Sequence, residues 1–134
     1  VTYKATAVVA HSFSFPDFTF SMNVSGAVTT ADVGKAVTLD RTTPNTVKLA
    51  GNNDVIYGRL ESVETGGLDG LTIGAVSRKF RAVLPTDGTA ITVGDSVDGG
   101  ATAGTVKAQV AADSVDRNVV LEVLTGNRVV VEQL

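Results

Sequence analysis

The side chains able to do chemistry are few in this chain, and their spacing limits what each can do. His11 is the single histidine, with Ser12, Ser14 and Asp17 close by in sequence. Those residue types make a hydrolytic triad only when separate segments converge in space, and no G-x-S-x-G elbow is present to expose a nucleophile. His11 therefore reads as a packing or partly exposed residue. Asp69, Asp87, Asp95 and Asp98 each lie beside a glycine or a turn. Loop carboxylates suit Ca²⁺, but the D-x-[DN]-x-[DN]-G spacing is missing, and Asp closes turns through its own side chain. The stretch from Gly26 to Lys35 superficially approaches a phosphate-binding loop. The interval between its glycines is wrong, and Ala36 stands where a Ser or Thr hydroxyl would be needed. Asn23-Val24-Ser25 is a glycosylation triplet, meaningful only in a eukaryotic secretory setting. Gly66-Gly67-Leu68-Asp69-Gly70 reads as a loop tip. The sequence thus assigns no catalytic residue, no metal ligand and no cofactor-binding residue.

Two clusters point instead to contact surfaces. Four of the 5 Phe residues, Phe13, Phe15, Phe18 and Phe20, fall within one short segment. Each ring offers about 150–250 Å² for burial, so the segment is either one wall of the core or an interface anchor. Pro16-Asp17 between the pairs suggests a bend. Arg78-Lys79-Phe80-Arg81 is the concentrated basic stretch. In a regular strand Arg78 and Phe80 share one face, and Lys79 and Arg81 share the other. The stretch reads as a charged edge strand guarded against aggregation, or as an electrostatic contact with an acidic neighbour.

Composition narrows the rest. The 134 residues carry no Cys and no Trp, 11 basic and 14 acidic residues, and a formal net charge of −3. Without Cys there is no thiol catalysis, no Cys-ligated metal and no disulfide scaffold. The acidic balance argues against binding nucleic acid through phosphate neutralisation. No apolar run approaches the roughly 20 residues that span a bilayer, and no secretory leader is read at the start. The length fits one domain of about 100–150 residues.

Elements that would position these residues are strands. Val and Thr make up nearly a third of the chain, and β-branched side chains favour a pleated sheet. Expected strands run over Tyr3–Ala10, Ser21–Val28, Lys35–Leu39, Thr46–Leu49, Val55–Val63, Leu71–Ser77 and Lys79–Leu84. Further strands are expected at Ile91–Val93, Thr105–Gln109, Asn118–Leu124 and Arg128–Gln133. Thr29–Gly34 reads as a helical turn with a Thr cap and a Gly stop. Pro85-Thr86-Asp87-Gly88 reads as a turn, Asp98-Gly99-Gly100 as a flexible loop, and Thr125-Gly126-Asn127 as a hairpin loop. The expected fold is all-β, a single β-barrel or jelly-roll-like sandwich of about ten short strands. Residues 1–23 would form an extended aromatic-rich arm and 24–134 the barrel body.

One ordered block carries a family resemblance. It runs Ala31-Asp32-Val33-Gly34-Lys35-Ala36-Val37-Thr38-Leu39, Thr46-Val47-Lys48-Leu49-Ala50, Val55-Ile56-Tyr57-Gly58-Arg59-Leu60, Leu71-Thr72-Ile73-Gly74, and Ile91-Thr92-Val93-Gly94-Asp95-Ser96-Val97. Between roughly Val24 and Gln109 the chain resembles the small cement or decoration proteins that coat the heads of tailed bacteriophages. The resemblance implies a compact barrel without catalysis or cofactor, bound to the major capsid protein on the outer surface of the virion and made in the bacterial cytoplasm. It implies a stabilising role against internal DNA pressure. A shell protein of this kind would be a homo-oligomer, dimer or trimer, with no direct nucleic-acid or membrane contact. Candidate contact residues are Tyr3 and Lys4 near the chain start, Phe13, Phe15, Phe18 and Phe20, and Arg78, Lys79 and Arg81. Two rivals from other classes remain: a carbohydrate- or ligand-binding β-sandwich, for which a chain with 0 Trp and 2 Tyr is poorly supplied, and a small β-barrel enzyme such as a trimeric nucleotide hydrolase, for which no phosphate-gripping motif is present.

Overall fold

The structure, a computed structural model, describes residues 16–65, 71–110 and 117–134, with backbone alone for 16–18. Its strands are β1 (Pro16–Val24), β2 (Ala36–Leu39), β3 (Thr46–Leu49), β4 (Gly58–Glu64) and β5 (Ile73–Pro85), followed by β6 (Val97–Gly99), β7 (Val106–Ala108), β8 (Asn118–Leu124) and β9 (Arg128–Gln133). The order β1-β3-β2-β4-β5, with β1 returning to pair with β5, closes a five-stranded barrel. The chain is therefore all-β, as its β-branched composition demands.

β5 is 13 residues long and serves two sheets. Its first half pairs antiparallel with β1, Phe20 against Val76 and Phe18 against Arg78, and with β4 on the other side. Its second half leaves the barrel and pairs with β9, Arg81 against Glu132 through Pro85 against Arg128. β8 extends that wing, and the β6–β7 hairpin lies apart as a two-stranded sheet. Near the join stands Lys79, whose φ of 51° puts a local kink into the strand. A left-handed backbone at a non-glycine residue is uncommon and is held only by its surroundings.

Two cores result. Val24, Val37, Val47, Leu60, Val63 and Val76 fill the barrel, where a five-stranded wall leaves room for little more than valine and leucine. Phe80, Leu84, Val97, Val106, Val120, Val129 and Val131 fill the space between the wing and the hairpin. Ala36 belongs to the second core and Val37 to the first. Successive strand residues point to opposite faces, so β2 is a shared partition. Each fully buried aliphatic side chain stabilises by about 1.5–3 kcal/mol.

Several expected boundaries move, for physical reasons. Leu71–Ser77 and Lys79–Leu84 are one strand, because the kink at Lys79 turns the backbone without ending it. Pro16 and Asp17 begin β1 instead of bending between strands, and Pro is tolerated at a first strand position. The proposed boundary between residues 23 and 24 consequently falls inside β1, a barrel strand. The strand expected from Val55 starts at Gly58. Ile91–Val93 forms no strand: Thr92 N–H donates to the Asp95 carboxylate at 2.9 Å, and that local bond competes with a ladder. Asp98 and Gly99 lie in a buried strand, not a flexible loop. A Cβ at Gly99 would collide with the Gly51 carbonyl oxygen, so glycine is there for close backbone approach. The turn expected over Thr29–Gly34 is a short 3-10 segment, Thr30–Asp32, stopped by Gly34 at φ 91°. Tyr3–Ala10 lies outside the described residues.

Candidate functional site: a cationic groove

The kink in β5 has a direct effect on the basic stretch. In an unbroken strand Arg78 and Lys79 would point to opposite faces. Here both line one groove of about 600 Å³, with Thr38 and Leu39 from β2 and Arg41 just after it. Val55, Ile56 and Tyr57 approach from the segment before β4, and Arg117, Gln133 and Leu134 from the ends of β8 and β9. Arg78 and Phe80, expected on one face, have different surroundings: Phe80 is 1% exposed in the second core, while Arg78 borders the groove.

Gln133 holds the floor. Alternation along β9 places it on the buried side after Val129 and Val131. Its Oε1 accepts from Lys79 N–H at 2.9 Å. Its Nε2 donates to the carbonyls of Ile56 and Tyr57, at 3.1 and 3.0 Å. One buried amide thus ties β5, β9 and the segment before β4 together and caps the backbone groups that the kink would otherwise leave unpaired.

Charge is the groove's main property. The Arg78 guanidinium lies 4.1 Å from the centroid of the Tyr57 ring, a cation–π geometry. Its Nε is buried and has no hydrogen-bond partner among the described residues. The ion pairs among the described residues lie elsewhere: Lys35–Asp32 and Arg59–Glu61, each at 2.8 Å, and Arg81–Glu132. Arg41, Arg78 and Arg117 take part in none of them. Arg81 is drawn away from its sequence neighbours because it sits opposite Glu132 on β9. Among the described residues that line the groove, none carries a side-chain carboxylate. What the lining offers is cationic, hydroxyl and apolar surface, suited to holding an anionic group.

Elsewhere the carboxylates are committed to turns. Asp87 accepts from the N–H groups of Thr89 and Ala101, each at 3.0 Å. Partial burial raises its pKa, but these bonds outweigh it and hold the carboxyl below the ordinary range. Asp32 is lowered chiefly by the hydrogen bond from Lys35 and by Thr29 N–H. Asp40 is lowered by the Thr42 hydroxyl and N–H. Asp95 closes its own turn, as the sequence implied, and Asp98 lies in β6. Among the described residues no three His, Asp or Glu side chains gather as a metal site.

Of the candidate contact residues, the structure brings Arg78 and Lys79 to the groove and sends Arg81 elsewhere. Phe20 is half exposed on β1 and so is not simply core. Phe18 lies in the same strand, backbone opposite Arg78. Tyr3, Lys4, Phe13, Phe15 and His11 lie outside the described residues. Sequence reasoning missed Arg41, Tyr57, Arg117 and Gln133. Gln133 did leave a signal, a polar residue on the buried beat of a valine strand; the others are isolated residues that only the topology unites. No protein-family model matches the chain, and no curated protein matches it.

Proposed function

We propose that this chain is a structural, non-catalytic coat protein that binds the outside of an assembled tailed-phage head through the major capsid protein. The observation that carries the reading is the groove: a hydrogen-bonded floor under clustered cations and exposed apolar side chains, which is the makeup of a docking surface. The ordered V-G-K, I-x-G-x-L and V-G-D-x-V block supplies the kind of partner through its resemblance to capsid decoration proteins. A carbohydrate-binding role is less well supported, because sugar stacking needs an open aromatic face and Arg78 covers one face of Tyr57.

The mechanism is linkage. A protein that binds assembled shell and not free capsomers lowers the free energy of the assembled state. Many copies bridging neighbouring capsomers convert modest contacts into a large total through effective concentration. A symmetric dimer or trimer would match its symmetry to that of the occupied sites. The test is co-sedimentation with expanded, undecorated phage heads, counting copies per shell. We expect saturable binding at a copy number set by capsid symmetry, and a raised shell melting temperature. Failure to bind any tailed-phage head tried, at protein concentrations that saturate known coat proteins, ends the reading.

A further inference from the structure

We infer that the cationic groove is the docking site for an acidic, extended segment of the partner protein, with carboxylates flanking an apolar side chain. The inference rests on the coat-protein reading for the partner's identity and adds where, and by what chemistry, the contact is made. Arg41, Arg78, Lys79 and Arg117 converge from the turn after β2, the kink in β5 and the start of β8, in a chain whose net charge is −3. Cations gathered against the overall sign of the molecule set up a local field that attracts and orients an anionic partner. The carboxylate nearest Arg41 in sequence forms no ion pair with it among the described residues: Asp40 Oδ1 accepts instead from the Thr42 N–H and hydroxyl, at 2.9 and 2.7 Å. Arg78 is stacked on Tyr57 and its side chain donates no hydrogen bond among the described residues; with Nε buried, the terminal guanidinium nitrogens are what an incoming carboxylate would meet.

Two further features select a peptide over other anions. Leu39, 45% exposed at the groove edge, offers apolar contact that a free phosphate has no use for. Nucleic acid would use aromatic platforms for its bases, and Tyr57 already carries Arg78 on one face. The floor carbonyls of Ile56 and Tyr57 are taken by Gln133, so recognition falls to charge and apolar fit.

The experiment is fluorescence anisotropy with a labelled peptide of alternating Glu and Asp around a central Leu. A Gln/Asn version of the peptide, a labelled oligothymidylate and competing inorganic phosphate are run beside it. We expect saturable, salt-weakened binding of the acidic peptide alone. The double variant Arg41→Gln/Arg117→Gln, both at exposed positions, should weaken it by about tenfold or more with an unchanged melting temperature. Equal affinity in that variant, tighter binding of the oligonucleotide, or displacement by phosphate at the peptide's own concentration overturns the inference. The same variant is then sedimented with heads. Heads that bind wild type and variant alike overturn the groove and leave the coat-protein reading standing. Peptide binding without head binding does the reverse.

Discussion

At the scale of single residues, Gln133 carries more of the structure than any charged side chain. Its three hydrogen bonds satisfy one N–H at the kink of β5 and two carbonyls in the segment just before β4. Leaving a buried polar group unpaired costs about 1–3 kcal/mol. Gln133→Leu should therefore lower unfolding free energy by about 2–4 kcal/mol in urea titration, the three orphaned groups relaxing in part toward water. Gln133→Glu keeps the acceptor for Lys79 N–H but loses the donors to Ile56 and Tyr57, and should be destabilised as well. Retention of wild-type stability in both variants would mean that the floor is held by strand pairing alone.

Among elements, β5 decides the layout, and the decision rests on Lys79. A left-handed residue with a Cβ carries a strain of about 1–2 kcal/mol. Lys79→Gly should leave stability unchanged or raise it slightly, whereas Lys79→Val, β-branched at φ 51°, should lower it by about 1–3 kcal/mol in thermal denaturation. The kink also marks where sequence reading stopped working. β3, β8 and β9 were legible to the residue, since alternation and a Thr-Gly-Asn loop are local signals. The kink was not, because lysine carries no mark of positive φ, and the stretch read as two strands. Gly99 misled in the opposite sense: its glycine signals a loop, while the tertiary approach of Gly51 makes it a strand residue. Half of the groove's cations were legible as the run Arg78-Lys79. Arg41 and Arg117 were not, since strand order alone brings them to that run.

For the molecule as a whole, the notable fact is that two cores share walls. β2 divides them, and β5 passes from one into the other. Phe80 is the largest fully buried side chain in the second core. Phe80→Ala should cost about 3–5 kcal/mol by loss of burial and the cavity left behind. Because the walls are shared, the loss should appear as one cooperative transition. Far-ultraviolet circular dichroism and the fluorescence of Tyr57, followed in a Tyr3→Phe background, should melt together. Separate midpoints would mean that barrel and wing unfold independently.

The barrel's closure also sets an order in time. β1 is the first described strand to leave the ribosome, yet its long antiparallel partner is β5, and its contact with β3 is only Asn23–Thr46 and Val24–Val47. Phe18 must wait until Arg78 has been synthesised before its backbone finds a neighbour. Distant pairings of this kind slow folding, because loop entropy is lost before contact energy is gained. Throughout that interval the aromatic strand is an open edge on a nascent chain, competent to pair with another copy. Slowing translation between β1 and β5 should therefore raise the share of this protein lost to aggregation before its barrel closes.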